Sequence, residues 1–141
     1  MEEKAFDLQE ISHMNHGTLM EVIGIEYLVA NSGYMKARMP VDHRTLQPMG
    51  LLHGGATMAL AETLASLGSA LMVDTEQYNV VGQHVTADHI RSARDGWVIG
   101  EAQIIHQGHS THIWNVDVKN ESGKMISTCR ITMFVSKKRP K

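Results

Sequence analysis

Two periodicities divide this chain. Over 54–73 it reads GGATMALAETLASLGSALMV, a run of apolar and small residues whose one charged position is Glu62. Its length and lack of strict alternation predict a long helix, hydrophobic nearly all round and therefore nearly all buried. Elsewhere the period is two. Ile25, Tyr27 and Val29 alternate with polar or small neighbours, Asn31-Ser32-Gly33 supplies a turn, and Met35, Ala37 and Met39 alternate with Lys36 and Arg38, which predicts a β-hairpin. Residues 80–90 form one extended run and 97–106 a second, with Val98, Gly100, Ala102 and Ile104 on one face. His112, Trp114, Val116 and Val118 mark a third. Asn120-Glu121-Ser122-Gly123 turns it into a fourth, with Met125, Ser127, Cys129, Ile131, Met133 and Val135 on one side.

Before the hairpin, Phe6, Leu8, Ile11 and Met14 are loosely helical and Thr18 is a candidate N-cap, so 1–22 reads as a short helical lead-in. A mostly antiparallel sheet of about six strands and a single apolar helix have one economical arrangement, an α+β fold whose curved sheet wraps the helix. The whole chain, 1–141, reads as one such domain. The basic end, 137–141, is expected to be a solvated, disordered tail.

Charge and composition narrow the function. A net charge of −2 with nine neutral His offers no positive field for nucleic acid or an anionic membrane. The 54–73 run approaches the ~20 residues of a membrane span, but it is rich in Ala, Gly, Ser and Thr, and a central acid costs about 2.5 to 3.5 kcal/mol on insertion. A membrane span is rejected. One cysteine, Cys129, excludes a disulfide framework, and the acidic MEEKAFDLQE start is unlike a secretory signal, so a cytoplasmic setting is expected.

The carboxylate carries the chemistry. Placed mid-way along an apolar helix, Glu62 is expected to be desolvated without a local partner, the setting of a catalytic acid, base or nucleophile. The plainer possibility is a core helix whose one Glu reaches solvent or a distant Arg. His53-Gly54-Gly55 adds a helix start with unpaired N–H groups that a ligand can approach, suited to a carbonyl oxygen that becomes negative during reaction. Alone, these glycines could simply make a tight turn. Eight residues separate Gly54 from Glu62, about 12 Å along a helix at ~1.5 Å per residue, too far to serve one carbonyl from the same copy. Two copies paired with antiparallel helices would bring the amide end of one to the acid of the other, which predicts at least a dimer.

Other polar positions follow by the same geometry. Ser66, one turn beyond Glu62, can bond the carboxylate or a water, or merely the backbone carbonyl of Glu62. Gln47, in the approach loop over 40–52, can hold a carbonyl or water, and His53 can orient that loop or donate to substrate. His106, His109 and His112 suggest a metal, but on a strand period His109 opposes the other two and no Cys or carboxylate is suitably spaced, so no metal site is expected. Gln107-Gly108-His109-Ser110-Thr111 reads as a turn with hydroxyl and backbone donors. His89, Ile90, Arg91 and Ser92, followed by Arg94, stand at a strand end suited to a polar or phosphate-bearing ligand, or to a solvated turn.

The segment from Gln47 through His53-Gly54-Gly55-Ala56, then Ala61-Glu62 and Ser66, closely resembles the acyl-CoA thioesterases of the hotdog superfamily. It is most similar to the 1,4-dihydroxy-2-naphthoyl-CoA hydrolase, 4-hydroxybenzoyl-CoA thioesterase and phenylacetate-type (PaaI-like) group. The likeness runs from about residue 24 to 135. It implies hydrolysis of an acyl-CoA with an aromatic acyl group, such as 1,4-dihydroxy-2-naphthoyl-CoA or a hydroxybenzoyl-CoA, with no cofactor other than the CoA of the substrate. It implies Glu62 as nucleophile or general base, Gly54 as the amide that polarises the thioester carbonyl, and Gln47, His53 and Ser66 as orienting residues. Acyl and CoA contacts map to Gly82, to His89, Ile90, Arg91 and Ser92, and to His106, Gly108, His109, Ser110 and Thr111. Relatives often carry Arg in that last turn where this chain has His109-Ser110, which points to Arg91, Arg94 or the basic tail for the nucleotide phosphates. The resemblance also implies a site spanning two subunits and a tetramer built of dimers. Two rivals stand beside it: a hotdog dehydratase of hydroxyacyl thioesters, needing His53 or His43 as base, and a non-catalytic acyl-CoA-binding module.

Overall fold

A computed structural model describes residues 4–141. Two short helices, α1 (Leu8–His13) and α2 (Leu19–Val22), precede the hairpin β1 (Glu26–Asn31) and β2 (Tyr34–Pro40). The long helix α3 (Gly54–Ala70) follows, and then β3 (Tyr78–His89), β4 (Trp97–Gln107), β5 (Thr111–Asn120) and β6 (Met125–Lys137). All six strands form one antiparallel sheet in the order β1-β2-β4-β5-β6-β3. The sheet wraps α3 in the hotdog arrangement. Among the described residues no helix is long and apolar enough to cross a membrane.

Alternation places the core. Met35, Ala37 and Met39 of β2, Val98 and Ala102 of β4, Trp114, Val116 and Val118 of β5, and Cys129, Ile131 and Met133 of β6 form the buried inner face. Against it α3 sets Thr57, Leu60, Ala61, Leu64, Ala65, Gly68 and Ser69, a stripe at spacings of three and four. Gly68 lets the Trp114 ring lie against the helix, since a Cβ there would fall 2.6 Å from the ring. One polar clasp crosses this interface: the Trp114 indole N–H donates to Ser69 Oγ at 2.8 Å, and His112 Nδ1 pairs with the same oxygen at 2.9 Å.

Several details depart from the pattern read along the chain. The opposite face of α3, carrying Met58, Glu62, Ser66 and Leu67, is only half-buried, so the helix is not enclosed by its own sheet. A bulge between Tyr27 and Val29 turns Ala30, rather than Val29, into the core. Thr18 occupies the N-cap of α2 but gives its hydroxyl to the Asn15 carbonyl instead of capping the helix. The basic end begins inside β6, where Lys137 pairs with Tyr78 and the Lys138 N–H donates to the Gln77 carbonyl.

The two sheet edges are treated differently. Along β1, the N-terminal segment adds a bridge from Ala5 to Asn31, with Phe6 N–H on the Ala30 carbonyl and the Lys4 carbonyl taking the Ser32 N–H, both at 2.9 Å. At the other edge, β3 is 12 residues long and has a neighbour, β6, on one side only.

Candidate active site

The approach loop delivers the helix start in a fixed position. Its backbone is tied down by His53 N–H on the Thr45 carbonyl, Leu52 N–H on the Ala93 carbonyl and Gln47 N–H on the Leu51 carbonyl, each at 2.8 Å. Asp42 braces it further with Arg44, whose guanidinium holds the carboxyl down at about 2. At the helix start itself the orphan amides are nearly all claimed. Gly55 N–H donates to His53 Nδ1 at 2.8 Å, and the Ala56 and Thr57 N–H groups reach the His53 carbonyl. Gly54 is the exception: among the described residues its N–H has no partner.

That amide opens into a cavity of about 290 Å³ lined by Gln47, Gly54, Thr57, His89, Ile90, Arg91 and Ser92 among others. The Gln47 amide oxygen accepts the Met49 N–H, which leaves its NH2 group to donate. A carbonyl oxygen entering the cavity can therefore meet two donors. The lack of a side chain at Gly54 keeps the amide accessible, since a Cβ would lie 2.7 Å from His89 Nε2.

Glu62 lies two turns further along α3 and faces a different cavity, of about 340 Å³. Its walls are Met14, Asn15, Leu19 and Met20 of the lead-in, Tyr27 of β1, and Glu62, Ser66 and Leu67 with their neighbours on α3. The carboxylate is half-buried and makes no hydrogen bond or ion pair among the described residues. It is open to a cavity, where the sequence pattern suggested a sealed core. Ser66 lines the same cavity, and its hydroxyl bonds neither the carboxylate nor the helix carbonyl. Gly82 of β3 abuts the acid: a Cβ there would overlap the carboxylate oxygen and lie 3.0 Å from Cδ.

One backbone irregularity lets β3 serve both cavities. Gly82 and His89 differ in parity and would point to opposite faces of a regular strand. A bulge between Gly82 and His84 resets the alternation, so Gly82 pairs with inward Met133 while Val85, Ala87 and His89 pair with inward Ile131, Cys129 and Ser127.

The structure thus gathers Gln47, Gly54, His89, Ile90, Arg91 and Ser92 in one place, and Glu62, Ser66 and Gly82 in another. The two cavities share no lining residue. His53 stands outside both, its ring exposed and serving as the helix N-cap. His106, Gly108, His109, Ser110 and Thr111 line neither cavity; they form the β4–β5 turn, closed by Gly108 N–H on the Thr111 carbonyl at 2.8 Å. The three histidines there do not form a ligand set: His112 is core, lowered in pKa by burial and then by the nearby charge of His106, and a bulge after Ile104 pairs His106 with Ile113 and Gln107 with His112, so His106 and His112 do not share a face. No group of three metal-ligating side chains converges among the described residues. The Cys129 thiol is buried and pushed up to about 11 by that burial, which removes it as a nucleophile. Sequence reasoning missed the lead-in wall, Thr57 and Ser127. Only Ser127 left a trace, as a hydroxyl among the apolar inner positions of β6.

A small domain with a curved sheet around one helix, an open amide at the helix start and an unpaired carboxylate farther on is a thioester-hydrolysing hotdog. The Thioesterase superfamily model matches residues 49–127, and the chain belongs to that family. It is 42% identical to the PA1618 protein of Pseudomonas aeruginosa over 129 residues, 92% of this chain and 89% of the relative. It is 36% identical to the 1,4-dihydroxy-2-naphthoyl-CoA hydrolase of Escherichia coli over 128 residues, 91% of this chain and 93% of the relative. The crystal structure of mutant thioesterase PA1618 superposes with a TM-score of 0.92 at 39% identity, covering 96% of this chain and 97% of that one. The protein is an enzyme, a thioester hydrolase.

Proposed function

We propose that this enzyme hydrolyses an acyl-CoA, with an aromatic acyl group, at a site assembled from two subunits. The observation that carries the reading is the separation of an unpartnered Gly54 amide and an unpartnered Glu62 carboxylate into two cavities of one protomer, with about 12 Å of helix between them. A thioester carbonyl on the Gly54 N–H and the Gln47 NH2 is polarised toward the charge it acquires on attack. Glu62 of the partner subunit then acts at its carbon, either by attacking to give an anhydride and the CoA thiolate, or by taking a proton from the water that attacks. In both routes the thiolate leaves with the former acyl C–S electron pair and gains a proton. Water attack releases the acid directly on the general-base route, and on the anhydride route a water cleaves the mixed anhydride to free the acid and regenerate the Glu62 carboxylate. Single turnover in isotopic water that labels Glu62 would identify the anhydride.

Two features support the pairing of copies. The long open edge of β3 has the unpaired backbone groups that monomers normally cover, as β1 is covered here, and edge-to-edge pairing about a two-fold axis would lay the two α3 helices antiparallel. The half-buried apolar face of α3 would gain cover in the same step. Phe134 and Val81 are cross-strand neighbours on the outer sheet face, 40% and 53% exposed, and support further association of dimers into a homotetramer. The apolar wall of Met14, Leu19, Met20, Tyr27 and Leu67 suits a flat hydrophobic acyl group. No cofactor beyond the CoA of the substrate is needed by this route, and a cytoplasmic setting suits a CoA ester.

Mixing variants tests the shared site. Glu62→Gln and Gln47→Ala should each be inactive alone, while co-expression should restore about a quarter of the wild-type sites, because each mixed dimer carries one intact pair. Inactivity of the mixed sample, with exchange of subunits verified by mass, would refute a site built in trans.

A further inference from the structure

Ser127 takes no part in the reaction as described, yet it is fully buried beside the Gly54 cavity. Cross-strand register places it directly opposite His89 on the inner face. The register is held beyond the strand end, where Ile90 N–H reaches the Ile126 carbonyl at 2.8 Å and the Arg91 guanidinium reaches the Met125 carbonyl at 2.9 Å. Ser127 Oγ meets His89 Nδ1 at 2.6 Å and the Asp88 carbonyl oxygen at 3.1 Å, with the buried Cys129 thiol as a further neighbour.

With a neutral imidazole the His89 and Asp88 contacts are compatible with one proton arrangement only. A carbonyl oxygen can accept but never donate, so the serine hydroxyl hydrogen must point to Asp88. Nδ1 must then carry the proton and donate to the serine oxygen. The reverse tautomer would turn the serine hydrogen toward Nδ1 and leave two oxygen lone pairs facing each other at Asp88. In that neutral tautomer Nε2 holds a free lone pair, and Nε2 is the ring atom nearest the Cβ position of Gly54.

We propose that Ser127 is a positioning residue that holds His89 as the Nδ1–H tautomer, so that its Nε2 presents a hydrogen-bond acceptor beside the Gly54 amide. The cavity is thereby given a polarity: the Gly54 N–H and the Gln47 NH2 donate, and the imidazole accepts. A thioester carbonyl is repelled by the lone pair and directed to the amides, while a donor of the substrate, such as an acyl hydroxyl or an amide N–H of the pantetheine arm, can settle on Nε2. The catalytic part of this role rests on the thioesterase reading above. The tautomer does not.

The test is long-range proton–nitrogen correlation NMR on uniformly labelled protein, with the His89 ring assigned by its loss in His89→Asn. The Nδ1–H pattern is expected in the native protein, and a shift to Nε2–H or to a mixture in Ser127→Ala. A native Nε2–H ring would overturn the proposal, whether or not the variant folds. So would a tautomer unchanged in a folded Ser127→Ala. In thiol-release assays, run at a temperature where the variant is shown to be folded, Ser127→Ala should lower kcat/KM by about tenfold, the loss of one orienting hydrogen bond. Unchanged kcat/KM would sink the functional half. A wild-type enzyme that releases no thiol from any acyl-CoA would instead refute the reading on which that half rests, leaving the NMR result standing.

Discussion

Replacing Gly82 by Ala separates geometry from stability with one methyl group. Gly82 is not among the glycines with positive φ, so the strand backbone accepts a Cβ. Gly-to-Ala changes at such compatible positions stabilise by about 0.4–1 kcal/mol, through the unfolded chain. The new methyl would nevertheless occupy the space of the Glu62 carboxylate, whose Cδ lies 3.0 Å from the Cβ position. Because the clash is with the far end of a flexible side chain, the fold gives way cheaply and the carboxylate retreats by on the order of 1 Å. For a carboxylate in the role proposed above, displacement on that scale costs about 10²-fold in rate. Gly82→Ala should therefore keep or slightly raise its melting temperature while kcat for thiol release from an aromatic acyl-CoA drops by about 10²-fold. The contrasting control is Gly123, at φ 80° with open space around it. Ala there should cost about 1–3 kcal/mol through backbone strain and leave kcat alone. Full turnover in a folded Gly82→Ala enzyme would refute the placement of the acid against β3, and with it the assignment of Glu62 to the reaction.

Other consequences are measurable. Ser69→Ala strands the Trp114 N–H and His112 in the core, and about 1–3 kcal/mol of stability should be lost per unsatisfied group in chemical denaturation. His112 is lowered in pKa by burial, so the unfolded chain binds a proton that the folded chain refuses. Stability should therefore be complete above the ordinary value of 6.5 and decline as the pH falls below it, a slope that His112→Gln should flatten. Cys129, with its thiol at about 11, should resist alkylation at neutral pH until denaturant exposes it; rapid labelling of native enzyme would contradict its burial.

The sequence by itself determined the fold class and named much of the candidate site. A single apolar helix among period-two strands leaves few ways to bury all the hydrophobic faces, and the spacing of Gly54 from Glu62 is a rigid consequence of helix rise. The inner faces of β2, β4, β5 and β6 were legible for the same reason: alternation reports burial wherever strands are regular. Only the tertiary structure decided what depends on irregularity or on distant segments. A one-residue bulge in β3 brought both Gly82 and His89 to the helix, which no periodic reading allows, and another took His106 from the face shared by His112. The isolation of the Gly54 N–H emerged from three neighbouring amides finding partners, and the wall around Glu62 came from a lead-in more than forty residues earlier in the chain. Register between β3 and β6 set Ser127 against His89. Local propensity acts over a turn or a strand, whereas these placements follow from long-range pairing and packing, where a shift of one residue reverses which side chains meet.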